Sequence, residues 1–149
     1  MTRKITRAVA RIANGLQEKL YLGNLEAQRD WGYAPEYVEG MWQMLQQAAP
    51  DDYVLATGET HTVREFLELA FQEAGLDWQA YVEIDPDYYR PTEIDRLVGD
   101  ASKARKRLGW APRTKFGDLV KVMIEADTQM LEDKLSGHLE RRMSARGGE

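Results

Sequence analysis

The sequence contains no cysteine and only two histidines, His61 and His138. Disulfide scaffolds, thiolate nucleophiles and Cys-ligated zinc are therefore excluded, and a histidine-rich metal site lacks ligands. No two of the 12 glycines stand two apart, and none precedes a lysine. Neither the G-x-G opening of a dinucleotide phosphate turn nor a P-loop can be written in this chain. No tyrosine is followed four residues later by lysine, and none of Ser102, Ser136 and Ser144 sits in a G-x-S-x-G elbow. Apolar runs extend over only a few residues, and Met1-Thr2-Arg3-Lys4 leads into mixed charge. No signal peptide or membrane span is expected, which makes the default a cytoplasmic protein.

What is present suits one domain. The 149 residues include 43% hydrophobic and 9% aromatic side chains, and 20 Lys plus Arg against 25 Asp plus Glu leave a net charge of −5. A chain of this length buries about 68–70% of its unfolded surface. The acidic balance argues against non-specific binding to nucleic acid, which depends on neutralising phosphates.

Periodicity divides the chain into short elements. Ile5, Val9, Ile12 and Leu16 recur at steps of four, three and four and predict a helix over residues 3–14 with one buried stripe. Leu20-Tyr21-Leu22 before Gly23-Asn24 reads as a strand and turn. Pro35 opens a second helix with apolar positions Val38, Met41, Trp42 and Leu45, which stops near Pro50. Tyr53-Val54-Leu55-Ala56, closed by Gly58, reads as a parallel-sheet strand buried on both faces. Thr62 and Glu65 form a capping box for a helix that buries Val63, Phe66, Leu67, Ala70 and Phe71 and ends at Gly75. His61, just ahead of it, is expected to be solvated or to act in capping.

Tyr81-Val82-Glu83-Ile84 reads as a strand, Asp85-Pro86-Asp87 as a turn, and Tyr88-Tyr89-Arg90-Pro91 as extended chain. Residues 103–108 form a basic helix ended by Gly109. Leu119, Met123, Ala126 and Met130 mark a longer helix starting near Phe116. Beyond about Lys134 a polar tail, residues 135–149, is expected to be disordered. The class is α/β or α+β. Three candidate strands are too few to flank a doubly covered strand, so the chain reads as part of a larger fold.

Four stretches carry chemistry outside the predicted core: Thr2-Arg3-Lys4-Ile5, Gly23-Asn24-Leu25 with Arg29-Asp30-Trp31-Gly32, Thr57-Gly58-Glu59-Thr60, and Tyr89-Arg90-Pro91-Thr92-Glu93. Arg29 and Arg90 are placed to hold guanidinium forks that bind phosphate through two charge-assisted bonds. Glu93 can accept from ribose hydroxyls, and Lys4 adds a point charge near free helix amides. Together they suggest a nucleotide diphosphate. The competing reading leaves these charges solvated or paired with Asp30, Glu36 or Asp95, and assigns Trp31 and Tyr89 to packing.

The runs Thr2-Arg3-Lys4-Ile5-Thr6-Arg7-Ala8-Val9-Ala10, Leu22-Gly23-Asn24-Leu25 with Arg29-Asp30-Trp31-Gly32, Tyr53-Val54-Leu55-Ala56-Thr57-Gly58-Glu59 and Tyr89-Arg90-Pro91-Thr92-Glu93-Ile94-Asp95 resemble the C-terminal part of the GDP-mannose 4,6-dehydratase family. The resemblance extends from residue 1 to about 132. The family belongs to the extended short-chain dehydrogenase/reductases. The resemblance implies an incomplete Rossmann-type sheet plus a small substrate-binding domain over residues 1–134. It also implies GDP-mannose as substrate, bound by Lys4, Arg29, Arg90 and Glu93, and NADP as cofactor, with a homo-oligomer as the working form.

Family chemistry oxidises C4 of the mannose, eliminates water across C5 and C6 and returns the hydride to C6. The residues performing it lie upstream of the family position where Met1 stands, so no catalytic or cofactor-binding residue is expected here. Met1, where the family typically has Val, is read as a start codon inside a truncated reading frame. Pro35-Glu36 and Lys115-Phe116-Gly117 also depart from the family pattern. Two other readings stay open: a stand-alone non-enzymatic binding or interaction module built on the same half-fold, and a different sugar-nucleotide epimerase or reductase.

Overall fold

The computed structural model describes residues 1–89 and 94–137. The elements in chain order are α1 (Thr2–Ala13), β1 (Leu20–Leu22), β2 (Gln28–Arg29), α2 (Ala34–Leu45), β3 (His61–Thr62), α3 (Val63–Glu73), β4 (Val82–Ile84), β5 (Arg96–Leu97), α4 (Ser102–Leu108) and α5 (Phe116–Leu135). Single 3-10 turns lie at Trp78–Ala80 and Pro86–Tyr88. β1 pairs with β4, and β2 lies between β3 and β5. The chain divides into two compact units, one of Met1–Tyr21, Leu67–Glu83 and Val120–Glu149, the other of Leu22–Phe66 and Ile84–Leu119.

In the first unit, α1 buries Ile5, Val9 and Ile12, as their helical spacing requires. Leu16 does not continue the stripe. The helix is capped at Asn14, Gly15 follows at φ 67°, and Leu16 is left exposed. The buried positions of α5 here are Val120, Ile124 and Asp127, still at steps of four and three. The expected stripe through Ala126 and Met130 is corrected accordingly, since both are exposed. Counting apolar residues alone missed a carboxylate on the inward face. Asp127 is acceptable there because Thr6 and Arg3 of α1 both donate to it.

In the second unit, β2 pairs antiparallel with β3, Gln28 opposite Thr62 and Arg29 opposite His61. It pairs parallel with β5, Gln28 opposite Arg96 and Arg29 opposite Leu97. The capping box forms as predicted: the Thr62 amide donates to Glu65 Oε2 at 2.6 Å, and the Glu65 amide donates to Thr62 Oγ1 at 3.0 Å. All five residues assigned to the buried face of α3 are buried. Gly75 follows at φ 68° and Gly109 closes α4 at φ 69°, the left-handed conformation in which a side chain is strained.

Ala56, Ala101, Ala104 and Trp110 form a small core against which Tyr37, Tyr53, Leu55 and Leu108 pack. Residues 53–56 belong to no strand, and Val54 is 52% exposed rather than buried on both faces. A strand needs partners for its main-chain groups, and no ladder forms here. The apolar residues of α2 are likewise outward: Val38, Met41, Trp42 and Leu45 are all more than half exposed. The helix buries Glu36 and Gly40 instead.

Candidate functional site

Among the predicted binding residues, Arg29 has the most developed surroundings. It is half-buried on β2, and its Nη1 donates to the carbonyls of Gln28 and Ile94, both at 2.7 Å. The Gln28 amide donates to Asp95 O at 2.7 Å, so successive residues of β2 grip successive residues leading into β5. Upstream of β2, Asn24 Oδ1 accepts from the Glu26 amide at 2.8 Å, which turns the chain out of β1. Lys4 belongs to the other unit, where its Nζ donates to Tyr21 O at 2.6 Å. Arg90 and Glu93 lie outside the described residues, as do residues 138–149 of the expected tail.

Asp30, next to Arg29, holds three separated pieces of chain. Its Oδ1 accepts from the Thr57 amide at 2.9 Å and from Thr57 Oγ1 at 2.6 Å. Its Oδ2 accepts from the amides of Gly58 at 2.9 Å and Gly99 at 3.2 Å. Burial opposes ionisation of this carboxyl. The donors from Thr57, Gly58 and Gly99 outweigh that cost and hold its pKa below the ordinary aspartate value. Gly99 can approach because it lacks a side chain: a Cβ there would stand 2.3 Å from Ala56 Cβ. Burial, then the charges of Asp30 and Glu36, push the Tyr37 hydroxyl upward. Asp30, Tyr37, Val54 and Gly99 line a shallow groove of about 240 Å³.

Glu36, which is buried where Asp30 is only partly so, is a second anchoring carboxylate that spacing alone did not mark. It accepts from the amides of Arg113 and Thr114, both at 3.1 Å, and from Thr114 Oγ1 at 2.9 Å. Its main-chain carbonyl accepts from Trp110 Nε1 at 2.7 Å. Sequence reading offered Asp30 and Glu36 as possible partners for nearby cations. Their main-chain bonds show a different principal use, the fixing of loops. The signal available in the sequence was weak: an Asp after Arg29, and a Thr57-Gly58 pair able to supply amide donors.

His61 is not simply solvated. Its ring stacks on Phe116 at 3.8 Å with 3° between planes, its Nδ1 lies 3.6 Å from Glu65 Oε2, and its side chain is 28% exposed. Trp31 stacks on the same Phe116 ring at 5.8 Å and meets Phe66 edge-on at 5.4 Å, in keeping with the packing role expected of it.

The family model described as GDP-mannose 4,6 dehydratase matches residues 1–123 of this sequence. The chain belongs to the GDP-mannose 4,6-dehydratase family. It is 59% identical over 130 residues to GDP-mannose 4,6 dehydratase 1 of Arabidopsis thaliana, an alignment covering 87% of this chain and 36% of that protein. It is 46% identical over 148 residues to the human GDP-mannose 4,6 dehydratase, covering 88% and 40%. The chain thus spans about two-fifths of the length of the curated relatives it matches.

Solved structures agree on the fold. RMD from Pseudomonas aeruginosa, complexed with NADPH, superposes with a TM-score of 0.77 at 20% identity, over 87% of this chain and 42% of that one. The dTDP-glucose 4,6-dehydratase of Bacillus anthracis, complexed with NAD, gives 0.67 at 18% identity, over 79% and 36%. The chain is accordingly α/β and covers only part of a Rossmann-type fold. Among its described residues, no helix is long and apolar enough to cross a membrane.

Proposed function

We propose that residues 1–134 are the nucleotide-sugar-binding portion of a GDP-mannose 4,6-dehydratase, with residues 135–149 as a polar tail. The observation that carries this reading is the family match over residues 1–123. In it, Arg29 and Arg90 hold the diphosphate of GDP-mannose, Glu93 accepts from the ribose hydroxyls, and Lys4 contributes a further positive charge. The whole enzyme is an NADP-dependent lyase that forms a 4-keto-6-deoxy sugar nucleotide, acting as a cytoplasmic homo-oligomer.

In this reading the chain supplies no residue to the dinucleotide, since its sequence holds no G-x-G opening of a phosphate turn. Among the described residues the glycines with positive φ, Gly15, Gly58, Gly75, Gly109 and Gly137, stand singly. No pair of them builds a phosphate turn ahead of a helix. The chain is therefore assigned substrate-binding residues and no step of the redox chemistry. The chemistry of Arg29 supports its role, since a guanidinium on a short strand after a glycine turn presents a fork suited to two phosphate oxygens.

Calorimetric titration of the 149-residue chain with GDP-mannose tests the proposal. Arg29→Ala and Arg90→Ala each weaken binding by about 1.5–3 kcal/mol, the range for hydrogen bonds to a charged group. Arg→Lys at either position recovers part of the loss, and Glu93→Gln costs less than either alanine. Arg105→Ala, an exposed residue of α4, leaves affinity unchanged. Affinities within twofold across all these variants would overturn the assignment. The exposed α2 face favours a second reading, a binding module that uses this face for another protein; it predicts no GDP-mannose binding at all.

A further inference from the structure

We propose that Asp30 is a positioning residue for the substrate diphosphate: it locks the register of β2 so that Arg29 is presented on the face where the phosphates bind. This rests on the phosphate-binding role of Arg29 proposed above. The argument starts from the length of the strands. β2 and β5 are two residues each, shorter than strands usually are, and so few ladder bonds define register weakly. Side chains alternate along a strand, so a slip of one residue would turn Arg29 to the opposite face. Something beyond the ladder must prevent it.

Asp30 supplies that restraint at the C-terminal end of β2. One carboxylate oxygen holds Thr57 by its amide and hydroxyl, and the other holds the amides of Gly58 and Gly99. Gly99 lies two residues beyond Leu97, the partner of Arg29 in the parallel ladder. At the other end, Arg29 Nη1 grips Ile94 O. The two contacts bracket β5, and a slipped register would break both. The clamp also depends on the glycines it grips. Gly58 sits at φ 80°, a conformation most side chains avoid, and Gly99 fits against Ala56 only without a Cβ.

Asp30→Asn is the informative change because it keeps shape and one acceptor. With its oxygen toward Thr57, the amide NH₂ faces the N–H groups of Gly58 and Gly99, donor against donor. The control is Glu36→Gln, at a buried carboxylate of the same unit that grips residues 113–114 instead. Two readouts apply to the 149-residue chain: the Arg29 Nε–H resonance, assigned by its loss in Arg29→Lys, and affinity for guanosine diphosphate.

The expected result is that Asp30→Asn shifts or splits the Arg29 resonance and weakens guanosine diphosphate binding roughly tenfold. Glu36→Gln should leave both unchanged even where it lowers the melting temperature as much. An Arg29 resonance unmoved in Asp30→Asn, with affinity within twofold of the parent, would overturn the inference. A resonance that moves in a chain that never binds guanosine diphosphate would support Asp30 as the register lock and overturn the phosphate role of Arg29.

Discussion

The Thr6 hydroxyl donates to the Asp127 carboxylate at 2.5 Å, joining the second turn of α1 to the middle of α5 inside the first unit. Neither residue has appreciable contact with solvent. The other carboxylate oxygen accepts from Arg3 Nη2 at 2.7 Å, with Arg3 itself half exposed. A charge is thus buried in the helix contact with its acceptors occupied, while its counter-ion keeps one side in water. Removing either helix residue leaves a polar group without its partner.

Asp127→Ala is expected to lower stability by about 1–3 kcal/mol, because it removes the partner of the buried Thr6 hydroxyl and the ion pair with the half-exposed Arg3. Thr6→Val should cost less, since Arg3 still neutralises the carboxylate. Urea unfolding checks both, with a midpoint that moves at unchanged slope. Equal midpoints for parent and Asp127→Ala would show the contact to be dispensable.

The capping box at the start of α3 makes a second prediction. Thr62→Ala removes the acceptor for the Glu65 amide and should cost about 1 kcal/mol, whereas Thr62→Ser should cost a few tenths. The same unfolding measurement separates the two variants. A Ser variant as weak as the Ala variant would place the effect in packing of the threonine methyl instead.

Acid sensitivity should follow from Asp30. Its native pKa lies below the ordinary aspartate value, so the unfolded chain takes up this proton first as pH falls. The stabilisation from the clamp is therefore fully present above the unfolded pKa and is lost as pH drops through the native value. Asp30→Asn should be less stable than the parent near pH 7, and the difference should shrink as pH falls through and below the ordinary aspartate range. A difference independent of pH would show that the charge of Asp30 contributes nothing.

The outward face of α2 predicts association. Val38, Met41, Trp42 and Leu45 present an apolar stripe with Val54 also exposed in the same unit, a combination that favours contact with other apolar surface. The parent chain should bind a hydrophobic dye and sediment with a concentration-dependent mass. The double variant Trp42→Glu and Leu45→Glu should reduce both while changing stability by no more than about 0.5 kcal/mol per site. Loss of folding in that variant would mean the stripe is packed after all.

Much of the local structure was readable in residue order. The capping box, the buried face of α3 and the glycines ending α3 and α4 each follow from contacts within a few residues, where spacing and backbone preference suffice. α1 was legible for the same reason up to Asn14. The likeness to the dehydratase family was also carried by short runs, and the family match over residues 1–123 bears it out. Arg29 as a candidate came from sequence; its grip on Ile94 O, 65 positions away, did not.

What the sequence alone determined, then, was the set of helices, their caps and the family, because these depend on neighbours within a turn or on runs of residue identity. Tertiary structure decided where the anchoring carboxylates went. Asp30, Glu36 and Asp127 look like surface charges in a linear reading, and only chain segments 27 to 124 residues away supply the donors that hold each of them. It also decided which apolar residues were covered. Val54 and the α2 stripe have the apolar character of buried elements, yet burial needs a partner surface. Their side chains face outward because no described segment of these 149 residues covers them.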